Sequence, residues 1–154
     1  MSLTERLQSL EHAIAWKGEI PLQSRYTLGL AGERFFREIR DHARLLATHC
    51  PACDWTYLPP RAYCERCLAE LTEWVEIPPS GVVYSYTVLY RDLDEQPLDP
   101  PVVVAFVRLE GCDGGLIHYL LVEPEQAYIG MPVEVMFREE RKGSIQDIAG
   151  FRPA

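Results

Sequence analysis

Hydrophobic positions change their rhythm twice along this chain. In the first 17 residues Leu3, Leu7, Leu10 and Ile14 recur at steps of four, three and four, which draws a narrow apolar stripe on an α-helix. Ser2-Leu3-Thr4-Glu5 has the spacing of a capping box, and Gly18 is placed to end the helix. A helix of about four turns with one stripe is marginal alone, so it either packs on its own domain or docks on a partner. Residues 19–31, with Pro21 and Gly29 among mixed polar groups, read as an irregular and mostly extended connection. A second helical segment begins near Gly32. It carries Phe35, Ile39, Ala43 and Leu46 on one face and Arg34, Arg37, Arg40 and Arg44 around the remainder.

The helical period is lost after residue 47. Ile77-Pro78-Pro79-Ser80-Gly81 then marks a boundary, and the texture beyond it is that of strands. Val82–Tyr90, Pro101–Glu110, Leu116–Val122, Val133–Arg138 and Ile145–Phe151 are five β-rich runs separated by Gly, Asp and Pro turns. Five short strands without a long intervening helix suit a small closed barrel of the oligomer-binding (OB) type, with an SH3-like barrel as the competing architecture. The chain therefore divides into a helical lead at 1–47, a central unit at 48–77 and a barrel at 78–154.

Composition narrows the setting. The 154 residues are 47% hydrophobic, enough for a buried core and too many for wholesale disorder. No apolar run approaches the roughly 20 residues that span a bilayer, and Met1 to Glu11 lacks the apolar core of a secretory peptide. These features predict a cytoplasmic protein that meets no membrane. The formal charge is −8, unevenly spread: residues 1–47 are near neutral, while the barrel has six basic and twelve acidic groups. An acidic chain is poorly suited to a phosphate backbone, so nucleic acid is not the expected partner.

The central unit explains itself through cysteine. Cys50-Pro-Ala-Cys53 and Cys64-Glu-Arg-Cys67 are two tight turns, each aiming two thiolates at one point. Together they supply the four sulfurs that a structural Zn2+ takes in a tetrahedron, although an iron ion in the same sulfur cage is chemically open. Disulfides do not suit a cytosolic chain. His49, next to Cys50, is a spare ligand that a saturated ion does not need. Cys112 stands apart in the turn Glu110-Gly111-Cys112-Asp113-Gly114-Gly115 and reads as a free thiol, with His118 reaching it only across a hairpin.

Other chemistry is sparse. There is no phosphate loop, nucleophile elbow or metalloprotease helix. Asp92, Asp94, Glu95 and Asp99 cluster in one loop and read as solvating acids. The arginines of the second helix either form a solvated face, with Glu33–Arg37 and Asp41–Arg44 pairs, or meet the phosphates of a ligand or an acidic partner. Tyr84, Tyr86 and Tyr90 either stack bases, the mark of a nucleic-acid module, or form one face of a strand.

Tyr26-Thr27-Leu28-Gly29, Phe35-Phe36, the two cysteine pairs around Leu58-Pro59-Pro60-Arg61, Ser80-Gly81-Val82-Val83-Tyr84-Ser85-Tyr86-Thr87 and Gly130-Met131-Pro132-Val133 occur in that order. This order resembles the acyl-CoA-associated zinc-ribbon/OB-fold family, long known as a domain of unknown function, over about residues 20–151. The resemblance implies N-terminal helices, a rubredoxin-like zinc ribbon and a five-stranded OB-fold barrel. It implies a non-catalytic subunit that scaffolds a thiolase-like acyltransferase in a hetero-oligomer, in aromatic or fatty acyl-CoA degradation, and helps bind or pass on the acyl-CoA. An aldolase-type lyase is the alternative partner. Cys50, Cys53, Cys64 and Cys67 would hold structural Zn2+, and Arg34, Phe35, Phe36, Arg37 and Arg61 would face the partner or the CoA thioester. Asp54 stands where such ribbons often have glycine, a departure that should alter only the turn.

Overall fold

The computed structural model describes residues 27–154, so the stripe of Leu3, Leu7, Leu10 and Ile14 lies outside the described residues. Helix α1 spans Gly29–His42 and buries Phe35 and Ile39. Arg40 and His42 occupy its last turn, where cations suit the negative end of the helix dipole. It stops at Ala43, which turns left-handed (φ 51°) and donates its N–H to the Ile39 carbonyl at 3.0 Å. Ala43 and Leu46 therefore do not continue the helical face. Leu46 belongs instead to strand β1, Leu45–Cys50, because full-length pairing with a strand almost 30 residues further on overrides the local helical period.

Three antiparallel strands form the central unit: β1, β2 (Trp55–Tyr57) and β3 (Glu73–Ile77), in the order β2-β1-β3. Cys50 lies opposite Trp55 and Thr48 opposite Tyr57, while Leu45 to His49 run against Ile77 to Glu73. The barrel follows with β4 (Ser80–Arg91), β5 (Pro97–Leu109), β6 (Gly115–Tyr119), β7 (Pro132–Phe137) and β8 (Ile148–Pro153). Its sheet order is β6-β5-β4-β7-β8, and a parallel bridge between Leu120 and Phe151 closes the ring. A first strand shared between the second and fourth, with the third and fifth meeting in parallel, is the OB arrangement.

The barrel strands differ from the sequence pattern in four places. Ile145–Asp147 is a single 3-10 turn rather than the start of a strand. Ser144 caps it, accepting a hydrogen bond from the Gln146 N–H, and β8 begins only at Ile148. Strand β6 stops at Tyr119, three residues before Val122, whose N–H turns back to the Leu120 carbonyl. A bulge lies between Val83 and Ser85, so Tyr86 shares a face with Val83 while Tyr84 sits against Phe106 on the opposite one. The tyrosines of β4 thus do not form one face. Asp99 lies within β5 rather than in the loop with Asp92, Asp94 and Glu95.

One core joins the parts. Phe35 and Ile39 of α1, Leu45, Ala47, Leu58 and Ile77 of the three-stranded unit, and Val83, Val107, Val133, Ile148 and Phe151 of the barrel pack as a single cluster. The β5–β6 turn is stitched to β2: Asp113 accepts from the Thr56 N–H at 2.8 Å and returns its own N–H to the Thr56 carbonyl. Gly114 is required in that turn, because a Cβ there would lie 2.3 Å from the Leu58 carbonyl oxygen. Among the described residues no helix is long and apolar enough to cross a membrane.

Candidate metal centre

A second, smaller cluster surrounds the cysteines. Cys50, Tyr57, Cys64 and Leu71 are buried there, with Cys53 and Trp55 packed against them. Cys50 leaves the end of β1, and the turn to β2 returns Cys53 beneath it through a Cys53 N–H to Cys50 carbonyl bond. The second turn is built alike: the Leu68 N–H bonds the Cys64 carbonyl at 2.9 Å, and Cys64 itself bonds Ala69. All four Sγ atoms lie within 4.8 Å of one another. Cys50 Sγ is 3.6 Å from Cys67 Sγ, and Cys64 Sγ is 3.9 Å from Cys53 Sγ. Thiolates placed at about 2.3 Å around a tetrahedral ion have edges of about 3.8 Å, so the cage has the dimensions of a metal site.

Its electrostatics agree. The Tyr57 hydroxyl lies 3.2 Å from Cys64 Sγ, and the Arg66 N–H donates to the same sulfur at 3.4 Å. The Tyr57 bond, with the Cys67 and Arg66 amides, holds the Cys64 thiol down at about 6 against the cost of burial. Its neighbours move the other way: hydrogen bonding to Cys67 and burial push Cys53 up to about 12, and burial raises Cys50. A dication at the centre is what allows all four sulfurs to ionise together. His49 is not part of it. Its Nδ1 lies 3.0 Å from the Thr56 hydroxyl.

The remaining candidates divide. Phe35, Phe36 and Arg61 line one cavity of about 470 Å³ with Leu28, Leu30 and Pro60, at the N-terminal end of α1. Leu30 is 90% exposed at its rim. Arg61 is fixed by its backbone to the buried Thr48 hydroxyl, which accepts its N–H at 2.9 Å, and its guanidinium pairs with Glu65 at 2.6 Å. Arg34 and Arg37 lie elsewhere. Arg34 stacks on the Trp74 ring at 4.3 Å, and Arg37 pairs with Glu33 one turn away. Arg40 pairs with Asp41, and Arg44 reaches Glu38 and Glu76 rather than Asp41, so the helix arginines form a self-paired face. Cys112 and His118 do not meet in a hydrogen bond: the thiol lies 3.5 Å from the Leu109 and Gly114 carbonyls, and His118 Nε2 donates to the Ile145 carbonyl. Sequence reasoning passed over Tyr57, Trp55 and Trp74. The signal was the alternation Trp55-Thr56-Tyr57 two residues after Cys53, which places both rings on one face of β2.

Comparison with known proteins places this geometry. Residues 37–73 match the family model for the ChsH2 rubredoxin-like zinc ribbon domain, and residues 74–138 that for the ChsH2 C-terminal OB-fold domain. A DUF35 domain-containing scaffold protein of Methanocaldococcus jannaschii is 37% identical over 68% of this chain and 75% of its own length. The chain belongs to the DUF35 family. Another DUF35 scaffold protein, from Methanothermobacter thermautotrophicus, is 30% identical over 71% of this chain and 83% of its own. A probable enoyl-CoA hydratase alpha subunit of Thermomonospora curvata is 31% identical over 64% of this chain, which spans only 31% of that protein. Among solved structures, a DUF35 protein of unknown function from Sulfolobus solfataricus superposes with a TM-score of 0.64 at 27% identity, over 81% of this chain and 84% of that one. A chain of the Ltp2-ChsH2(DUF35) aldolase superposes with a TM-score of 0.61 at 28% identity, over 84% and 98%. DUF35 membership accounts for both halves at once, the four-cysteine ribbon and the OB barrel.

Proposed function

We propose that this DUF35 chain is a non-catalytic subunit, held by a structural Zn2+ on Cys50, Cys53, Cys64 and Cys67, that scaffolds a thiolase-like acyl-CoA enzyme in the cytoplasm. The observation that carries the proposal is the closed sulfur cage: four thiolates leave a zinc ion no open position for substrate or water, so the metal serves the fold and the chemistry belongs to a companion. Support comes from the two archaeal relatives described as scaffolds and from the relative in which a similar segment lies within a probable enoyl-CoA hydratase subunit. The cavity at the head of α1 gives the CoA thioester a landing place, with Phe35 and Phe36 as apolar walls and Arg61, on exchanging Glu65 for phosphate, as the cation nearest it. Arg34 and Arg37 face the companion.

One observation favours a second partner class. The similarity to a chain of the Ltp2-ChsH2(DUF35) aldolase supports an aldolase-type lyase in place of a thiolase. Purification of the native protein from its host, with the companion identified by mass and assayed for thiolytic or aldol cleavage, separates the two. A chain that runs alone, without a CoA enzyme, refutes the proposal.

A further inference from the structure

The β4–β5 hairpin outgrows the barrel. Strand β5 pairs with β4 from Gly81 to Arg91, yet β7 reaches β4 only at Ser80 to Val82. Val83 still bonds the chain beside it, donating to the Met131 carbonyl and accepting from Gly130. Beyond Val83 that edge of β4 has no strand beside it among the described residues, although β6 still lines the far side of β5 as far as Val104, and only past Val88 does the hairpin continue as a two-stranded arm.

The register identifies the backbone groups left open. The Val103 carbonyl accepts from Leu120, so Val103 directs its hydrogen-bonding groups away from β4, towards the β6 side. Val88 lies opposite Val103 and Tyr86 opposite Ala105, so both present N–H and C=O to the open side of β4, about 7 Å apart. Along this edge run Ser85-Tyr86-Thr87-Val88-Leu89-Tyr90, without charge, proline or glycine, and all but Val88 are exposed. An edge that is flat, neutral and β-branched or aromatic invites another strand unless something blocks it. The opposite edge of the arm is blocked: Pro101, two residues before Val103, stands where an N–H would face outward.

The tip is hydrogen-bonded and acidic. Asp92 accepts from the Asp94 and Gln96 N–H groups at 2.9 and 2.8 Å, and Arg91 bonds the Glu95 carbonyl. Leu93 projects from this turn fully exposed, flanked by Asp92, Asp94 and Glu95. A pre-formed arm of this kind costs little ordering on binding.

We infer that the open edge of β4 at Tyr86 and Val88 accepts an extended segment of the companion enzyme as an added strand. Its residues are neutral along β4, with Lys or Arg at the end that meets Asp92, Asp94 and Glu95. This inference rests on the scaffold reading above. A second copy of the chain is a poorer fit to the acidic tip, because the chain carries a net charge of −8 and five of its arginines, Arg37, Arg40, Arg44, Arg61 and Arg152, already pair with carboxylates of their own.

The test uses the native complex, with the companion identified by mass, and follows amide exchange residue by residue. The Tyr86 and Val88 amides should exchange at least tenfold more slowly in the complex than in the free chain. Val88→Pro removes an open-side N–H, together with some of the half-buried side chain's packing on the core, and should weaken association at least tenfold. Thr87→Lys, which keeps the whole backbone, should do the same if Val88→Pro fails to fold. A complex that forms with these amides unprotected, or that tolerates Thr87→Lys, overturns the inference and leaves the scaffold role standing. Protection that grows with the concentration of the free chain assigns the edge to a second copy and also overturns it. Absence of any CoA-enzyme companion removes both.

Discussion

Asp54 and Leu68 hold the same left-handed backbone, at φ 48° and 62°, each one residue past the second cysteine of its turn. The chain must reverse there to bring two sulfurs to one point, and only glycine does so freely. Aspartate tolerates the conformation, whereas a left-handed leucine costs about 1–2 kcal/mol. Leu68 is also 78% exposed and recovers nothing by burial. Leu68→Gly should therefore stabilise the protein by about 1 kcal/mol, raising Tm by about 2–4 °C. A calorimetric scan of the metal-loaded protein checks this, with metal affinity expected to stay the same.

Tyr57 should tune the metal site without being a ligand. Its hydroxyl meets the most acidic thiol of the cage, and that proximity pushes the phenol itself up to about 12. Tyr57→Phe keeps the ring packing against Trp55 and deletes only the hydrogen bond. Loss of such an outer partner lowers metal affinity about 10–100-fold. Competition against a chromophoric chelator measures the shift, while circular dichroism should show an unchanged fold.

Removal of the ion should melt the cage before the barrel. Cys50, Tyr57, Cys64 and Leu71 pack as their own small cluster, while the strands of the barrel are held by the main core. A strong chelator, or Cys64→Ser, is expected to accelerate amide exchange at Tyr57, Cys64 and Leu71 and to leave Val103, Val107 and Leu116 protected. A variant with full metal content and unchanged exchange would contradict a structural role for Cys64.

What the sequence made legible follows physical range. Cysteine spacing announced the cage because tetrahedral sulfur geometry constrains residues three apart, and the five barrel strands showed through their turns. The end of α1 was hidden: Ala43 and Leu46 continue its apolar period, and only the pairing of Leu45 to His49 with β3 reveals a strand. The bulge at Tyr84 was hidden for a related reason, since an inserted residue flips the faces without altering composition. Arg34 has no partner visible in the sequence and Arg44 pairs there with Asp41, whereas the fold brings Trp74 to the first and Glu38 and Glu76 to the second.

Acid should lower the stability of the protein in two steps. His118 is buried, which pushes its imidazole below the usual 6.5, and its Nδ1 has no hydrogen-bond partner among the described residues. The unfolded chain takes that proton first, so stability is complete above pH 6.5 and declines below it. Burial alone would raise Asp147. The N–H groups of Lys142, Gly143 and Ser144 outweigh burial and hold its carboxyl below 3.8, so its contribution is lost as pH falls below that value. His118→Phe should abolish the first decline. Asp147→Asn should remove the second and cost about 2 kcal/mol at neutral pH. Urea melts between pH 3 and 8 resolve both.

The pairing of β1 with β3 also limits how this architecture can be inherited. The zinc-ribbon match ends at residue 73, yet β3 begins there and runs to Ile77, zipping the metal unit to the strand that leads into the barrel. A recombination event at that border would hand one descendant an unpaired β1 and the other a stray strand with its apolar side bare. Ribbon and barrel are two patterns in sequence and a single heritable piece in three dimensions.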